Sequence, residues 1–221
     1  MVTPTEESLA LQVGGWAQGQ PPSPGKNLAA KNSQSRKAGW INGQRLKRVK
    51  RNTNLWINIG TWNAVTMLKP GKMNEKAEQM LSTQIHIIAL QELRWKGQGQ
   101  INKNKYSLYY SCSQQRMGQL GTGFMVIKEV EKNIMSFTPI NERICILRLK
   151  GKFHNITLIN VQAPTEEKME EEKNQFYDDL QKTYDRTPEH DIVMVLGDLN
   201  AKIGKEKAYE SVTGKNTLHD V

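Results

Sequence analysis

The hydrophobic positions change period several times along the chain, and each change marks an element. Leu55, Ile57 and Ile59 alternate with Trp56, Asn58 and Gly60, the period of a half-buried strand. Pro70-Gly71 predicts a turn, after which Met73, Ala77, Met80, Leu81 and Ile85 recur at helical spacing, giving an amphipathic helix over about 72–84. His86-Ile-Ile-Ala-Leu-Gln-Glu92 reads as a buried strand ending on an acid. Lys96-Gly-Gln-Gly-Gln100 reads as a loop, Tyr106 to Cys112 as a Tyr-rich strand, and Gly121 to Ile127 as a buried strand entered by close backbone approach. Arg143 to Leu149 and Asn155 to Val161 predict a hairpin around Gly151. Pro164 ends it, and Thr165 starts a charged helix whose packed face carries Phe176, Leu180 and Tyr184. Asp191 to Leu196 is a last buried strand running into Gly197-Asp-Leu-Asn200, and the stretch from about 202 is polar.

Charge divides the chain. Its 221 residues carry a formal net charge of +9, and residues 1–54 hold nine Lys or Arg against two acids, so the leader owns most of that excess. It is rich in Gly, Pro, Gln, Ser and Asn without apolar periodicity, so it buries too little surface to offset its ordering entropy. Residues 1–54 are therefore expected to be a disordered basic leader, 55–206 the folded domain, and 207–221 a polar tail. Within the leader, Arg45-Leu-Lys-Arg-Val-Lys-Arg51 is a cationic cluster with the chemistry of a nuclear-import signal or a phosphate-contacting arm, and equally that of a solvated linker.

Other classes are excluded by composition. There is no run of eighteen apolar residues, so no membrane span is expected. Leu9, Ala10, Leu11 and Val13 are broken up by Glu6, Glu7, Gln12, Gly14 and Gly15, which is not a secretory core. A nuclear or cytoplasmic location is expected, with Cys112 and Cys145 as free thiols.

Three strands deliver polar groups at their carboxyl ends: Asn63, Glu92, and Asp198 with Asn200. Strand ends on a rigid sheet are where ligands can converge, and a hard divalent cation needs only one or two carboxylates besides water and phosphate oxygens. Singly each has a plain alternative. Gly-Asp-Leu-Asn is a good turn, Glu92 can pair with Arg94, and Asn63 suits a turn.

Taken in order, Ile59-Gly-Thr-Trp-Asn63, Leu90-Gln-Glu-Leu-Arg-Trp-Lys-Gly97, Gly121-Thr-Gly-Phe124, Ile159-Asn-Val-Gln-Ala-Pro-Thr165 and Val195-Leu-Gly-Asp-Leu-Asn-Ala201 resemble the endonuclease/exonuclease/phosphatase superfamily. Within it, the series is similar to the endonuclease domain of RTE or BovB-type non-LTR retrotransposons. The resemblance implies a DNase I-like four-layer α/β sandwich and hydrolysis of DNA phosphodiesters with Mg²⁺ or Mn²⁺. It implies Glu92 as metal ligand, Asp198 orienting or deprotonating the attacking water, Asn200 on the phosphate, and Asn63 positioning the metal shell or phosphate. Arg94, Lys96, Arg116 and Gln162 are the expected DNA contacts. The chain departs from the family at Gln162, where Tyr is usual, and nothing in it matches the terminal Ser-Asp-His motif, so an incomplete sandwich and impaired catalysis are expected. A catalytically inactive DNA- or protein-binding remnant is the alternative, and a superfamily phosphatase a third.

Overall fold

The structure, a computed structural model, describes residues 57–115 and 118–201 together with the strand segments Leu11–Gly15, Trp40–Ile41 and Gln44–Arg45. Leu11–Gly15 (β1) pairs in parallel with Ile57–Asn63 (β4), while Trp40–Ile41 (β2) and Gln44–Arg45 (β3) form a small hairpin. The remainder of the leader, the Arg45–Arg51 cluster beyond Arg45, Arg116 and the 207–221 tail lie outside the described residues.

Two sheets carry the body. After β4 come Lys72–Ser82 (α1), Ile87–Gln91 (β5), Gln98–Asn102 (β6), Tyr106–Ser111 (β7) and Thr122–Ile127 (β8). The first sheet has the order β1-β4-β5-β8-β7-β6, with β4 and β5 parallel and the pairs from β5 onward antiparallel. Then follow Lys128–Glu131 (α2), Ile134–Pro139 (β9), Ile144–Leu149 (β10), Ile156–Gln162 (β11), Glu170–Asp185 (α3) and Ile192–Asp198 (β12). The second sheet has the order β12-β11-β10-β9, and its β11–β12 pair is parallel.

Alternation along β10 shows how the layers stack. Cys145, Leu147 and Leu149 join the core between the sheets, whereas Ile144 and Ile146 join the cluster under Phe176 and Leu180 of α3. Ala77 and Met80 of α1 bury against the first sheet. The result is helix, sheet, sheet, helix: the four-layer α/β sandwich expected from the motifs.

Some elements differ from the sequence reading. Gln98–Asn102 is a strand where a loop was expected, because an edge strand with alternate residues exposed needs no apolar run. Ile134–Pro139 is a further strand of the same kind, with Met135, Ser136 and Thr138 outward. Helix α3 starts at Glu170, after a turn in which Lys168 N donates to Thr165 O. Its buried face runs through Phe176 and Thr183, leaving Tyr184 half exposed.

The far end of β12 is fastened by Asp191. Arg148 donates to both of its oxygens from Nε (2.6 Å) and Nη2 (2.9 Å), and Thr157 Oγ1 donates at 2.7 Å, so three strands are joined. The Arg148 side chain holds the Asp191 carboxyl below its ordinary value. A lowered folded-state value means the stabilisation is present above the unfolded carboxylate's titration near pH 4 and is lost as pH falls through the folded value. Asp191→Asn is accordingly expected to be less stable than the parent at pH 7, with the difference shrinking as pH falls below about 4, as read by urea unfolding across an acid pH series.

Candidate active site

The parallel pairs β4–β5 and β11–β12 point their carboxyl ends the same way, with Asn63 opposite Gln91 and Gln162 opposite Asp198 in register. Ile57 and Ile59 of β4, every residue of β5 and β11, and Leu196 of β12 are buried, and the site residues follow at the strand ends. There the Asn63 amide bridges the two sheets. Asn63 Nδ2 donates to Glu92 Oε1 at 2.8 Å and to Asp198 Oδ2 at 3.2 Å. Carboxylates carried by different sheets are thus brought onto a single side chain, 29 residues from one and 135 from the other.

The neighbours hold this arrangement. Glu92 Oε2 accepts from Arg94 Nη2 at 2.6 Å, and the Glu92 backbone N–H donates to Gln162 Oε1 at 3.3 Å. Asp198 Oδ1 accepts from the Asn200 backbone N–H at 3.0 Å, and Asn200 Nδ2 donates to Ala163 O at 2.7 Å. Backbone conformation is constrained as well. Val65, Thr66, Glu92, Arg94, Leu120 and Asn200, all on segments that carry or flank the site, have positive φ. Such strain persists only where surrounding bonds fix it, and here Ala64, Thr66 and Met67 each donate a backbone N–H to the chain at 91–93.

Beside Glu92 opens a cleft of about 660 Å³, lined by Arg94, Arg143, Lys168, Glu142 and Glu172 among others. Its cations are largely matched. Arg143 pairs with Glu172 and donates to Gln162 O at 3.2 Å, and Lys168 lies 3.5 Å from Glu172. Lys96 is exposed and does not line the cleft, and Arg116 lies outside the described residues. Asn63, Glu92, Asp198, Asn200 and Gln162 are therefore brought together with Arg94 at one place. Lys168 and Glu142 also line the cleft, and as lone charges beside strand and helix ends they carry no signal in the sequence that would place them there.

Among the described residues no group of three or more His, Cys, Asp or Glu forms a metal cage. The donor set is nonetheless all oxygen, with two carboxylates sharing one amide, and each Glu92 oxygen keeps a second lone pair beyond its bond to Asn63 or Arg94. Those residues fit a hard divalent cation that retains most of its waters. Cysteine chemistry has no place here. Burial pushes the Cys112 thiol up to about 11 and that of Cys145 up to about 12, so neither supplies a thiolate.

With this geometry in view, relatives can be placed beside the chain. No protein-family model matches it. The chain is similar to craniofacial development protein 2. It is 38% identical to that protein of Tragulus javanicus over 157 residues, 71% of this chain and 27% of the relative, and 37% identical to that of Bos taurus over the same 157 residues, 71% and 26%. The chain thus spans about a quarter of the length of the curated relatives it matches. Among solved structures, the AP endonuclease LMAP from Leishmania major superposes with a TM-score of 0.49 at 16% identity, covering 64% of this chain and 54% of that one.

Proposed function

We propose that the chain is a phosphodiesterase of the DNase I-like type that cleaves DNA with Mg²⁺ or Mn²⁺, derived from a retroelement endonuclease of the RTE or BovB kind and working in the nucleus. The observation that carries this reading is the Asn63 amide bonded at once to the carboxylates of Glu92 and Asp198. The ordered motif series supports the retroelement origin, and the 45–51 cationic cluster supports the nuclear location.

In this reading Glu92 would hold the cation, which when bound polarises a phosphoryl oxygen and offsets developing negative charge. Asp198, fixed by Asn63 and by the Asn200 backbone N–H, orients water and takes its proton. Asn200 and Gln162 offer amides toward the phosphate, and Arg94 and Lys96 bind flanking backbone phosphates. Asn63 keeps the two acids at a fixed separation, so that water and phosphate meet in one orientation.

Arg94 has two effects of opposite sign. Its guanidinium neutralises part of Glu92, which weakens a cation there, and it supplies positive charge to the cleft, which favours DNA. Arg94→Ala is expected to bind Mn²⁺ several-fold more tightly and duplex DNA several-fold more weakly, with a shallower salt dependence, in calorimetric and fluorescence-anisotropy titrations.

The same contact favours a second reading, an inactive DNA-binding remnant in which Arg94 takes the cation's part beside Glu92. Nicking of supercoiled plasmid decides between the two. Mg²⁺-dependent, chelator-sensitive nicking that Glu92→Gln removes supports the enzyme. DNA binding without any nicking supports the remnant.

A further inference from the structure

Just past the paired stretch of β5 and β8, the contact between the two segments slips by one residue beside Glu92. Leu90 pairs with Gly123, and the next bond along joins Leu93 N to Gly121 O, so Gln91 and Glu92 on one strand face Thr122 alone on the other. Two residues opposite one is the count of a β-bulge, and Glu92 sits in it with φ 55. The space opposite is closed to side chains. A Cβ on Gly123 would lie 2.4 Å from Tyr109 O, and one on Gly121 would lie 2.6 Å from Cys112 Sγ.

Into this irregularity the second sheet inserts one fully buried side chain. Asn160 of β11 donates from Nδ2 to Leu90 O and to Gly123 O, both at 2.8 Å, and its Oδ1 accepts from Gln91 Nε2 at 2.6 Å. Gln91 in turn bonds Thr61 of β4, two residues before Asn63. Two residues along β11 from Asn160, Gln162 accepts from the Glu92 N–H, and its register partner is Asp198. One strand of the second sheet therefore grips the bulge of the first at two points, while its parallel neighbour carries Asp198.

We propose that Asn160 is a positioning residue: its carboxamide holds the β5 bulge that aims the Glu92 carboxylate at Asn63 and Asp198, and so sets the spacing across which the two acids act. Asn160 touches no substrate. Its two donors go to the carbonyls of the last register pair before the bulge, Leu90 and Gly123, and its oxygen to Gln91 inside it; a core leucine would make none of these bonds, and the amide stands where Ile156 and Leu158 of the same strand face are apolar.

The proposal rests on the metal-dependent reading only for its second readout. In the full chain, the side-chain amide signals of Asn63 in ¹⁵N NMR report its bonds to Glu92 and Asp198 without any metal. Asn160→Leu is expected to shift those signals and speed their exchange while signals from the outer cluster around Ile144 and Phe176 stay in place. It should also weaken Mn²⁺ binding by about tenfold or more, the scale of lost outer-shell support. Combined with Glu92→Gln, it should weaken Mn²⁺ binding no further than Glu92→Gln alone. Asn160→Thr keeps one donor and suits a strand, and serves if the leucine variant does not fold; the same changes, smaller, are expected. A folded Asn160 variant with unchanged Asn63 amide signals would overturn the proposal, as would additive losses in the double variant. If the parent chain binds no Mn²⁺, the metal reading fails, and the Asn63 signals still judge Asn160.

Discussion

Glu92→Gln and Asp198→Asn are each expected to lower the proposed Mg²⁺-dependent nicking of supercoiled plasmid by about a thousandfold, roughly 4 kcal/mol of transition-state stabilisation. Each exchange is nearly isosteric, and each acid accepts from Asn63, so an amide in its place can still be held while its charge is gone. The far-ultraviolet spectrum and melting temperature are expected to stay close to those of the parent, because neither side chain belongs to the buried core. The double variant should lose little more than the worse single one, since groups acting on one phosphate do not contribute additively. Nicking that survives both substitutions places the chemistry elsewhere.

Gly197→Ala has the largest expected effect on stability. Gly197 precedes Asp198 in β12 with φ 136, and a Cβ there would lie 1.9 Å from the carbonyl oxygen of Val161 on the neighbouring strand. All three of the nearest atoms are backbone atoms of Val161, so the β11–β12 pair must part to admit a methyl group. A loss of about 3 kcal/mol or more is expected, read from urea unfolding. Gly71 is the natural control. Its φ of +86 is also left-handed, but nothing lies within 4 Å of a Cβ, so Gly71→Ala should lose only about 1 to 2 kcal/mol. Equal losses at the two positions would mean that the close approach at Val161 is relieved cheaply.

Where side-chain periodicity reports burial, the fold was legible before any coordinates. The β10–β11 hairpin follows from alternating apolar residues flanking Gly151, and α1 from the spacing of Ala77 and Met80. Strands β6 and β9 were not legible, because Gln98–Asn102 has only Ile101 packed inward and Ile134–Pro139 shows water half of its residues. Both are edge strands, held by backbone bonds that leave little trace in side-chain type. The extra turn before α3 was hidden for a related reason: Thr165 fits a helix start, yet the first helical residue is Glu170 and no side chain caps it.

At the site, residue types were legible and their partners were not. An acid or amide directly after an apolar strand marks Asn63, Glu92 and Asp198 without reference to packing. That Asn63 bridges the two acids and that Gln162 turns its oxygen to the Glu92 backbone are consequences of how two sheets stack, whereas the pairing of Glu92 with Arg94, two residues on, is local and is the one partner the sequence offers. Asn160 shows the limit most plainly. Inside an apolar strand it reads as an ordinary interruption, and only the register break between Leu90 and Leu93 gives its three bonds a purpose.

The most direct measurement is a Mn²⁺ titration of the full chain, followed by calorimetry or electron paramagnetic resonance, in the parent, Glu92→Gln, Asp198→Asn and the double variant. One tight site in the parent, weakened by either substitution and hardly further by both, is the result expected if the two carboxylates act around a single cation. Mn²⁺ affinity that neither substitution alters, or two losses that simply add, would contradict it.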